Sequence, residues 1–143
     1  MPLLLVRCAV PAGERDVAAL LRDVPLDPVE VAGLIRRHRV LVLSDLTRPA
    51  AAPPVAAAAF RLHRAAGTAQ LAGIGVAAHL RRRGLAHRLL AGALMVLRSE
   101  GLERVQARAA PGGAGASLLA SAGFTADREE APADGRSRFV LLL

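Results

Sequence analysis

The sequence predicts an α/β fold in which helices pack against a mixed, mostly antiparallel sheet. Short apolar runs of strand length alternate with segments whose apolar residues recur at helical spacing. Clusters of glycine and proline separate these segments, as turns do. At 143 residues the chain has the length of one ordinary domain. We therefore expect a single domain over residues 1–143.

The first third of the chain predicts strand, helix, helix and strand. Glu14 and Asp16 place carboxylates in a first helical turn, where the macrodipole favours them. Asp27 before Pro28 is a helix-start signal, because proline at the first helical position loses no needed N–H. The predicted elements are a strand over residues 3–10, helices over 14–23 and 28–38, a strand over 40–43 and a loop over 44–54.

The remainder predicts two hairpins around two helices. Apolar residues follow helical spacing from Gly84 onward, and Gly101 stands where a C-terminal cap is expected. A second, shorter helix stops at Gly123. The predicted elements are a hairpin over 55–64 and 68–76, a helix over 84–100, a strand over 104–109, a helix over 114–122 and a hairpin over 124–128 and 136–142.

Composition excludes several classes of protein. The single cysteine, Cys8, cannot form an internal disulfide, and no Cys/His spacing suggests a metal site, so we expect a cytoplasmic protein without metal. The apolar start breaks at Arg7 and lacks the basic segment of a signal peptide. No window sustains the roughly twenty apolar residues of a membrane span, so we expect no membrane association.

The charge is strongly positive, with a formal net charge of +7, and all the cationic side chains other than histidine are arginines. Such a surface attracts anions, among them nucleic acid and phosphate-bearing cofactors. The chain has three phenylalanines and neither tyrosine nor tryptophan, so it lacks the aromatic platforms on which single-stranded nucleic acid stacks. Nucleic acid is therefore the disfavoured partner.

The run Arg81-Arg82-Arg83-Gly84-Leu85-Ala86 lies between a predicted strand and the most regular predicted helix. The N–H groups of a helix N-terminus bind anions, and Gly84 and Ala86 let a bulky anion approach the backbone closely. Arginines at this end oppose the helix dipole unless an anion is present. The motifs of nucleotide hydrolysis and of dinucleotide binding are both missing. The run therefore predicts a phosphate site.

In this context the chain resembles the GNAT superfamily of acyl-CoA-dependent N-acyltransferases. The family signature, Arg/Gln-x-x-Gly-x-Gly/Ala, matches Arg81-x-x-Gly84-x-Ala86. Ile74-Gly75-Val76 resembles the family's fourth strand, Leu89-Leu90 its third helix, and Ala122-Gly123-Phe124 its closing Gly-Phe. The resemblance extends over about residues 55–143.

The resemblance implies strands that splay around an acyl-CoA site, with acetyl-CoA as co-substrate. Backbone N–H groups from Arg82 to His87 would hold the pyrophosphate, while the pantetheine arm would pair with the strand edge near Ile74 to Val76. A backbone N–H near Val76 would polarise the thioester oxygen. The cofactor-binding residues that we predict are Ile74, Gly75, Val76, Arg81, Arg82, Arg83, Gly84, Leu85, Ala86 and His87.

The catalytic half of the family pattern is missing. The position of the usual tyrosine acid is Leu119, that of a common asparagine is Gly112, and residues 70–76 offer no carboxylate. His63 is the one candidate base, since alternation along its strand could turn it toward the cleft. His79 and His87 flank the phosphate loop, and Ser117 and Ser121 are candidate replacements for the missing hydroxyl. The catalytic residues remain unassigned.

Two functions follow from this pattern, with a third ranked below them. The first is transfer of an acetyl group from acetyl-CoA to an unidentified small amine. The second is an acyl-CoA-binding module that has lost turnover and acts as a sensor or subunit. The third is a basic nucleic-acid-binding domain, which would not explain the arginines beside Gly84 and Ala86.

The apolar tail 139–143 either completes the chain's own sheet or pairs with a second copy, and a homodimer is the expected assembly.

Overall fold

A computed structural model describes residues 3–21, 26–49, 51–127 and 135–143. Seven strands and four α-helices alternate in the order that the sequence predicts. The strands are β1 (Leu4–Cys8), β2 (Arg39–Asp45), β3 (Ala56–His63), β4 (Thr68–Val76), β5 (Arg104–Ala109), β6 (Thr125–Asp127) and β7 (Ser137–Leu142). The helices are α1 (Glu14–Leu20), α2 (Pro28–Arg37), α3 (Leu85–Ser99) and α4 (Ala114–Ser121).

All the strands belong to one sheet, in the order β1-β2-β3-β4-β5-β7-β6. Every neighbouring pair is antiparallel except β4 and β5, which run parallel. That parallel pairing spans only Thr68–Gln70 against Arg104–Gln106. The two strands diverge beyond Gln70, so no strand among the described residues pairs with that edge of the second half of β4. This confirms the mixed, mostly antiparallel sheet and the splayed strands that were expected.

The helices form two layers, one on each face of the sheet. One face carries the larger core, in which Leu89, Leu90 and Leu97 of α3 and Leu119 of α4 pack on the sheet. The other face packs Val17 of α1 and both Val31 and Leu34 of α2 against β2 and β3. Alternation along each strand supplies both layers, because successive side chains point to opposite faces.

Local sequence signals start and stop these helices as predicted. Asp27 caps α2, since its side chain accepts a hydrogen bond of 2.8 Å from the backbone N–H of Glu30. Pro28 occupies the first turn. Gly101 follows α3 with a φ of 87°, a left-handed value that glycine adopts without strain.

One expectation changes in detail, one is resolved and others lie outside the described residues. Strand β2 extends through Ser44 and Asp45, which pair with Leu5 and Leu4, so the loop begins later than predicted. The predicted end of the first helix, residues 22 and 23, and the tip of the last hairpin lie outside the described residues. Strand β7 lies between β5 and β6 of the same chain, so the apolar tail completes its own sheet. Among the described residues, no helix has the length and apolarity required to cross a bilayer.

Candidate functional site

The unpaired edge of β4 presents backbone groups to the gap between β4 and β5. The N–H of Ala77 bonds to the carbonyl of Val55 at 2.8 Å, on the β3 side. Since backbone groups alternate in direction along a strand, those of Val76 and Ile74 point away from β3 and into the gap. The Arg81 Nε donates to the Val76 carbonyl at 3.5 Å, which agrees with that direction. These are the backbone groups that the sequence assigned to the pantetheine arm.

The loop between β4 and α3 has an unusual backbone. Arg82 has a φ of 65° and is the one described residue other than glycine with a positive φ. Gly84, with a φ of 72°, is the N-cap of α3. A left-handed conformation costs an L-residue about 1–2 kcal/mol, and strain of this kind concentrates at functional sites. The strained backbone therefore marks this loop as a candidate functional site.

The N–H groups of this loop and of the first turn of α3 converge without acceptors. The first backbone bond of α3 runs from the N–H of Arg88 to the carbonyl of Gly84 at 3.0 Å. Within the described part of the chain, no backbone or side-chain acceptor takes the N–H groups of residues 82–87. A β-carbon built on Gly84 would meet nothing within 4 Å, so the approach is open. This set of N–H hydrogen-bond donors fits a diphosphate.

A pocket of about 440 Å³ lies over this loop. It brings together nine of the ten predicted cofactor-binding residues, namely Ile74, Gly75, Val76, Arg81, Arg82, Gly84, Leu85, Ala86 and His87. Arg83 is exposed and does not line it. Sequence reasoning missed the wall contributed by Leu80 and by Ala114, Gly115 and Leu118 of α4. The small residues that open α4 were the available signal for that wall.

A second pocket, of about 160 Å³, continues the first one through the gap in the sheet. The two share Ile74, Gly115 and Leu118, so they adjoin each other, and we call the pair of pockets the β4–β5 channel. Residues 71–74 of β4 form one wall of the second pocket and Leu118 and Leu119 another. Two arginines, Arg108 and Arg136, also line it. None of the described residues that line the channel carries a carboxylate.

Helix α4 provides no hydroxyl to the channel. Leu119 is 3% exposed and lines the second pocket where the family pattern would place a tyrosine. Ser117 and Ser121 are both exposed and line neither pocket. The Ser121 hydroxyl donates to the Leu118 carbonyl at 2.7 Å, so its 3.1 Å contact with His87 Nδ1 requires a proton on that nitrogen. Neither serine is placed to protonate a leaving thiolate.

The remaining histidines lie away from the channel. His63 ends β3 opposite Thr68, at the hairpin end of the β3–β4 pair, whereas the phosphate loop follows the opposite end of β4. It is exposed and lines neither pocket. His79 is exposed in the short turn before Arg81 and also lines neither pocket. The structure thus brings nine of the ten residues predicted to bind the donor together and leaves the candidate base His63 apart from them.

Comparisons with known proteins agree with this geometry. The sequence pattern of the acetyltransferase (GNAT) family matches residues 32–124. No curated protein matches the sequence significantly. Among solved structures, an IAA acetyltransferase from Bacillus cereus ATCC 14579 superposes with a TM-score of 0.74 at 16% identity, over 99% of this chain and 100% of that one.

Two further structures share the fold. An acetyltransferase from Bacillus subtilis in complex with CoA superposes with a TM-score of 0.75 at 15% identity, over 99% of each chain. A ribosomal-protein-alanine N-acetyltransferase from Brucella melitensis has a TM-score of 0.73 at 18% identity, over 97% of this chain and 99% of that one. The family pattern spans more than half of the chain, and it includes both strand β4 with its open edge and the N–H groups of residues 82–87. The chain belongs to the acetyltransferase (GNAT) family.

Proposed function

We propose that the protein transfers an acetyl group from acetyl-CoA to the amine of a small molecule. The observation that carries this proposal is the β4–β5 channel. Its first end lies over the N–H groups of residues 82–87, and its second end lies in the gap between β4 and β5, beside Arg108 and Arg136. The Bacillus subtilis structure with the same fold contains CoA, which supports the same kind of ligand here. A cytoplasmic location and a homodimer remain predictions beside this proposal.

The donor half of the site follows from the described residues. The N–H groups of residues 82–87 would donate hydrogen bonds to the pyrophosphate, and the Arg81 and Arg82 guanidiniums would add charge at the same end. The apolar middle of the channel, formed by Ile74, Leu85 and Leu118, suits a pantetheine arm. The backbone groups of Ile74 that point into the gap would pair with its amides, and the Val76 N–H would polarise the thioester oxygen.

The chemistry requires a neutral amine. Its nitrogen lone pair forms a bond to the thioester carbonyl carbon, and the C–S bond then breaks with its electron pair on sulfur. The proton lost by the nitrogen neutralises the thiolate through solvent, since no described channel residue offers a hydroxyl or carboxylate for that step. Positioning and oxyanion stabilisation then supply most of the catalysis.

The arginines compensate in part for the missing base. A cationic environment disfavours a second positive charge, so an ammonium group that enters the channel should have a lowered pKa. Arg108 and Arg136 lie at the end where the acceptor would enter. The channel thereby favours the neutral amine without a residue that removes the proton.

The alternative is a binding module that holds acyl-CoA without turnover. Leu119 at the position of the usual acid and the absence of a carboxylate among the described channel residues favour it. The two functions make the same prediction for coenzyme A binding and opposite predictions for thiol release.

The experiment that separates them measures thiol release from acetyl-CoA with a panel of amines, beside thermal stabilisation by coenzyme A. Stabilisation with amine-dependent release supports the transferase. Stabilisation without release for any amine supports the binding module. No stabilisation at millimolar coenzyme A contradicts both, because a ligand that binds the native state must raise the unfolding temperature.

A further inference from the structure

The second end of the β4–β5 channel is positively charged. Arg108 comes from β5 and Arg136 from the residues just before β7, and both line the pocket that passes through the sheet. The other lining residues, from β4 and α4 and at the end of β5, are apolar. Arg108 lies on the sheet face opposite α3 and α4, because its neighbours Ala107 and Ala109 are buried beneath those helices. The charge therefore faces the side from which an acceptor would approach.

Arg108 has no structural partner to explain it. It makes no hydrogen bond or ion pair with any of the described residues, and it is exposed. Its direct neighbour across the β5–β7 ladder is Arg138, and like charges in that position repel. Arg138 donates from Nε to the Asp127 carboxylate at 3.0 Å. That carboxylate is therefore the partner of Arg138 and not of Arg108. Asp127 thus neutralises Arg138, and no described carboxylate neutralises Arg108.

The position of Arg108 separates it from the phosphate end. Arg81 and Arg82 line the first pocket and not the second, whereas Arg108 and Arg136 line the second and not the first. The open backbone groups of Ile74 and Val76 lie between the two pairs. A donor whose phosphates occupy the first end leaves Arg108 for a group on the acceptor.

We propose, resting on the transferase function above, that the acceptor is a small amine that also carries an anionic group, such as a carboxylate or a phosphonate, which Arg108 binds. The planar guanidinium fork matches the two oxygens of a carboxylate and also binds phosphonate oxygens. An anionic group on the acceptor would supply Arg108 with the counter-ion that the described residues do not. The same cations repel an acceptor that carries several ammonium groups.

The sequence also contains the acidic residues Glu129, Glu130 and Asp134, which lie outside the described residues and could instead attract a cationic amine. The test therefore includes both kinds of acceptor. Thiol release from saturating acetyl-CoA is measured with glycine, methionine and glutamate, with the primary carboxamides of the first two, with aminomethylphosphonate, and with spermidine. Each kcat/KM is referred to the concentration of free amine, which removes the effect of the acceptor's own pKa.

Two matched variants accompany the wild type. Arg108→Gln removes the channel cation, and Arg104→Gln removes an exposed arginine four residues earlier on the same face of β5 that lines neither pocket. We expect a carboxylate or phosphonate acceptor to exceed the carboxamides and spermidine in the wild type. Loss of a charged hydrogen-bond partner should lower that acceptor's kcat/KM roughly 10- to 100-fold in Arg108→Gln. The carboxamides, and every acceptor in Arg104→Gln, should change by less than about threefold.

Several outcomes overturn the inference while leaving the transferase function intact. These are equal or better transfer to carboxamides, preference for spermidine, and an equal loss for charged and uncharged acceptors in Arg108→Gln. If no amine releases thiol, the CoA-saturated protein is tested for thermal stabilisation by N-acetylmethionine and by its carboxamide. Stabilisation by the acid alone, lost in Arg108→Gln, supports the anion site even though transfer has failed, and equal or absent stabilisation overturns it.

Discussion

The carbonyl oxygen of Leu20, at the end of α1, occupies the space that a β-carbon on Gly75 of β4 would need. Helix α1 therefore contacts the backbone of β4, the strand whose edge away from β3 is open to the channel. This contact fixes the helix against β4 at the level of Ile74 and Val76, the residues that we assign to the pantetheine arm. The absence of a side chain at Gly75 is thus a packing requirement of the donor site.

We predict that Gly75→Ala destabilises the protein by about 1–3 kcal/mol, the usual range for overpacking, because the methyl group must displace backbone rather than a flexible side chain. Gly33→Ala is the matched control. Gly33 lies inside α2 with nothing within 4 Å of a β-carbon, so alanine there should stabilise by about 0.5–1 kcal/mol. Urea unfolding of both variants measures the two effects, and equal stabilities would refute the packing role of Gly75.

The left-handed backbone of Arg82 leads to a second prediction. Arg82→Gly relieves about 1–2 kcal/mol of conformational strain, of which the extra freedom of glycine in the unfolded chain cancels roughly half. The ligand-free variant should be as stable as the wild type or more so. Arg83→Gly removes the same charge from a residue without positive φ and should lose about 0.5–1 kcal/mol. Thermal unfolding without ligand compares them, and a less stable Arg82→Gly would contradict the strain.

His38 makes stability depend on pH. Its Nδ1 accepts a hydrogen bond of 2.9 Å from the backbone N–H of Leu62, which requires the unprotonated nitrogen. Burial lowers the pKa of His38 below the ordinary value of 6.5, and the nearby Arg61 lowers it further. The unfolded chain therefore binds a proton more readily than the native state does. Stability is fully present above pH 6.5 and declines as the pH falls below that value.

The variant His38→Asn tests this, since its side-chain oxygen can still accept from Leu62 but does not titrate. Urea unfolding at about pH 8 and about pH 5.5 should show a smaller loss of stability on acidification in the variant than in the wild type. His79 is an exposed histidine of the turn before Arg81, and His79→Gln serves as the control. That variant should lose as much stability on acidification as the wild type does. An unchanged pH dependence in His38→Asn would remove His38 as its source.

The pH dependence of transfer should follow the acceptor and not the enzyme. No described channel residue carries a carboxylate, and the one histidine among them, His87, lies at the phosphate end beside Ser121. Log kcat/KM should therefore rise until the acceptor amine is neutral, and the inflection should move with the pKa of each amine. His63→Gln should leave the profile unaltered, because His63 lies at the hairpin end of β3. An inflection that stays fixed across acceptors would instead indicate a protein base.

Much of the fold could be predicted because its signals are local. Asp27 and Pro28 mark the start of α2 within one turn, and the capping bond confirms them. Gly84 marks the phosphate loop for the same reason, since a left-handed N-cap is a property of one residue. The predicted phosphate loop lies within a single stretch of the chain, which is why a local motif could predict it.

The remaining features depend on contacts between distant segments. Nothing near Gly75 in the sequence indicates that Leu20 will lie against it. Three consecutive arginines look equivalent in the sequence, yet only Arg82 has a positive φ and Arg83 does not line the pocket. Arg108 and Arg136 meet at one pocket only because β5 and β7 are neighbours, and that strand order cannot be derived from periodicity.

The central claim is that the loop from Arg82 to His87 holds the phosphates of an acyl-CoA, and calorimetric titration of coenzyme A tests it most directly. We predict that the wild type binds and that Arg82→Gly binds roughly 10-fold more weakly or worse, because a charge-assisted phosphate contact is lost. Arg83→Gly, whose side chain lies outside the pocket, should stay within about threefold of the wild type. Failure of the wild type to bind millimolar coenzyme A, or an equal loss in both variants, would contradict the account.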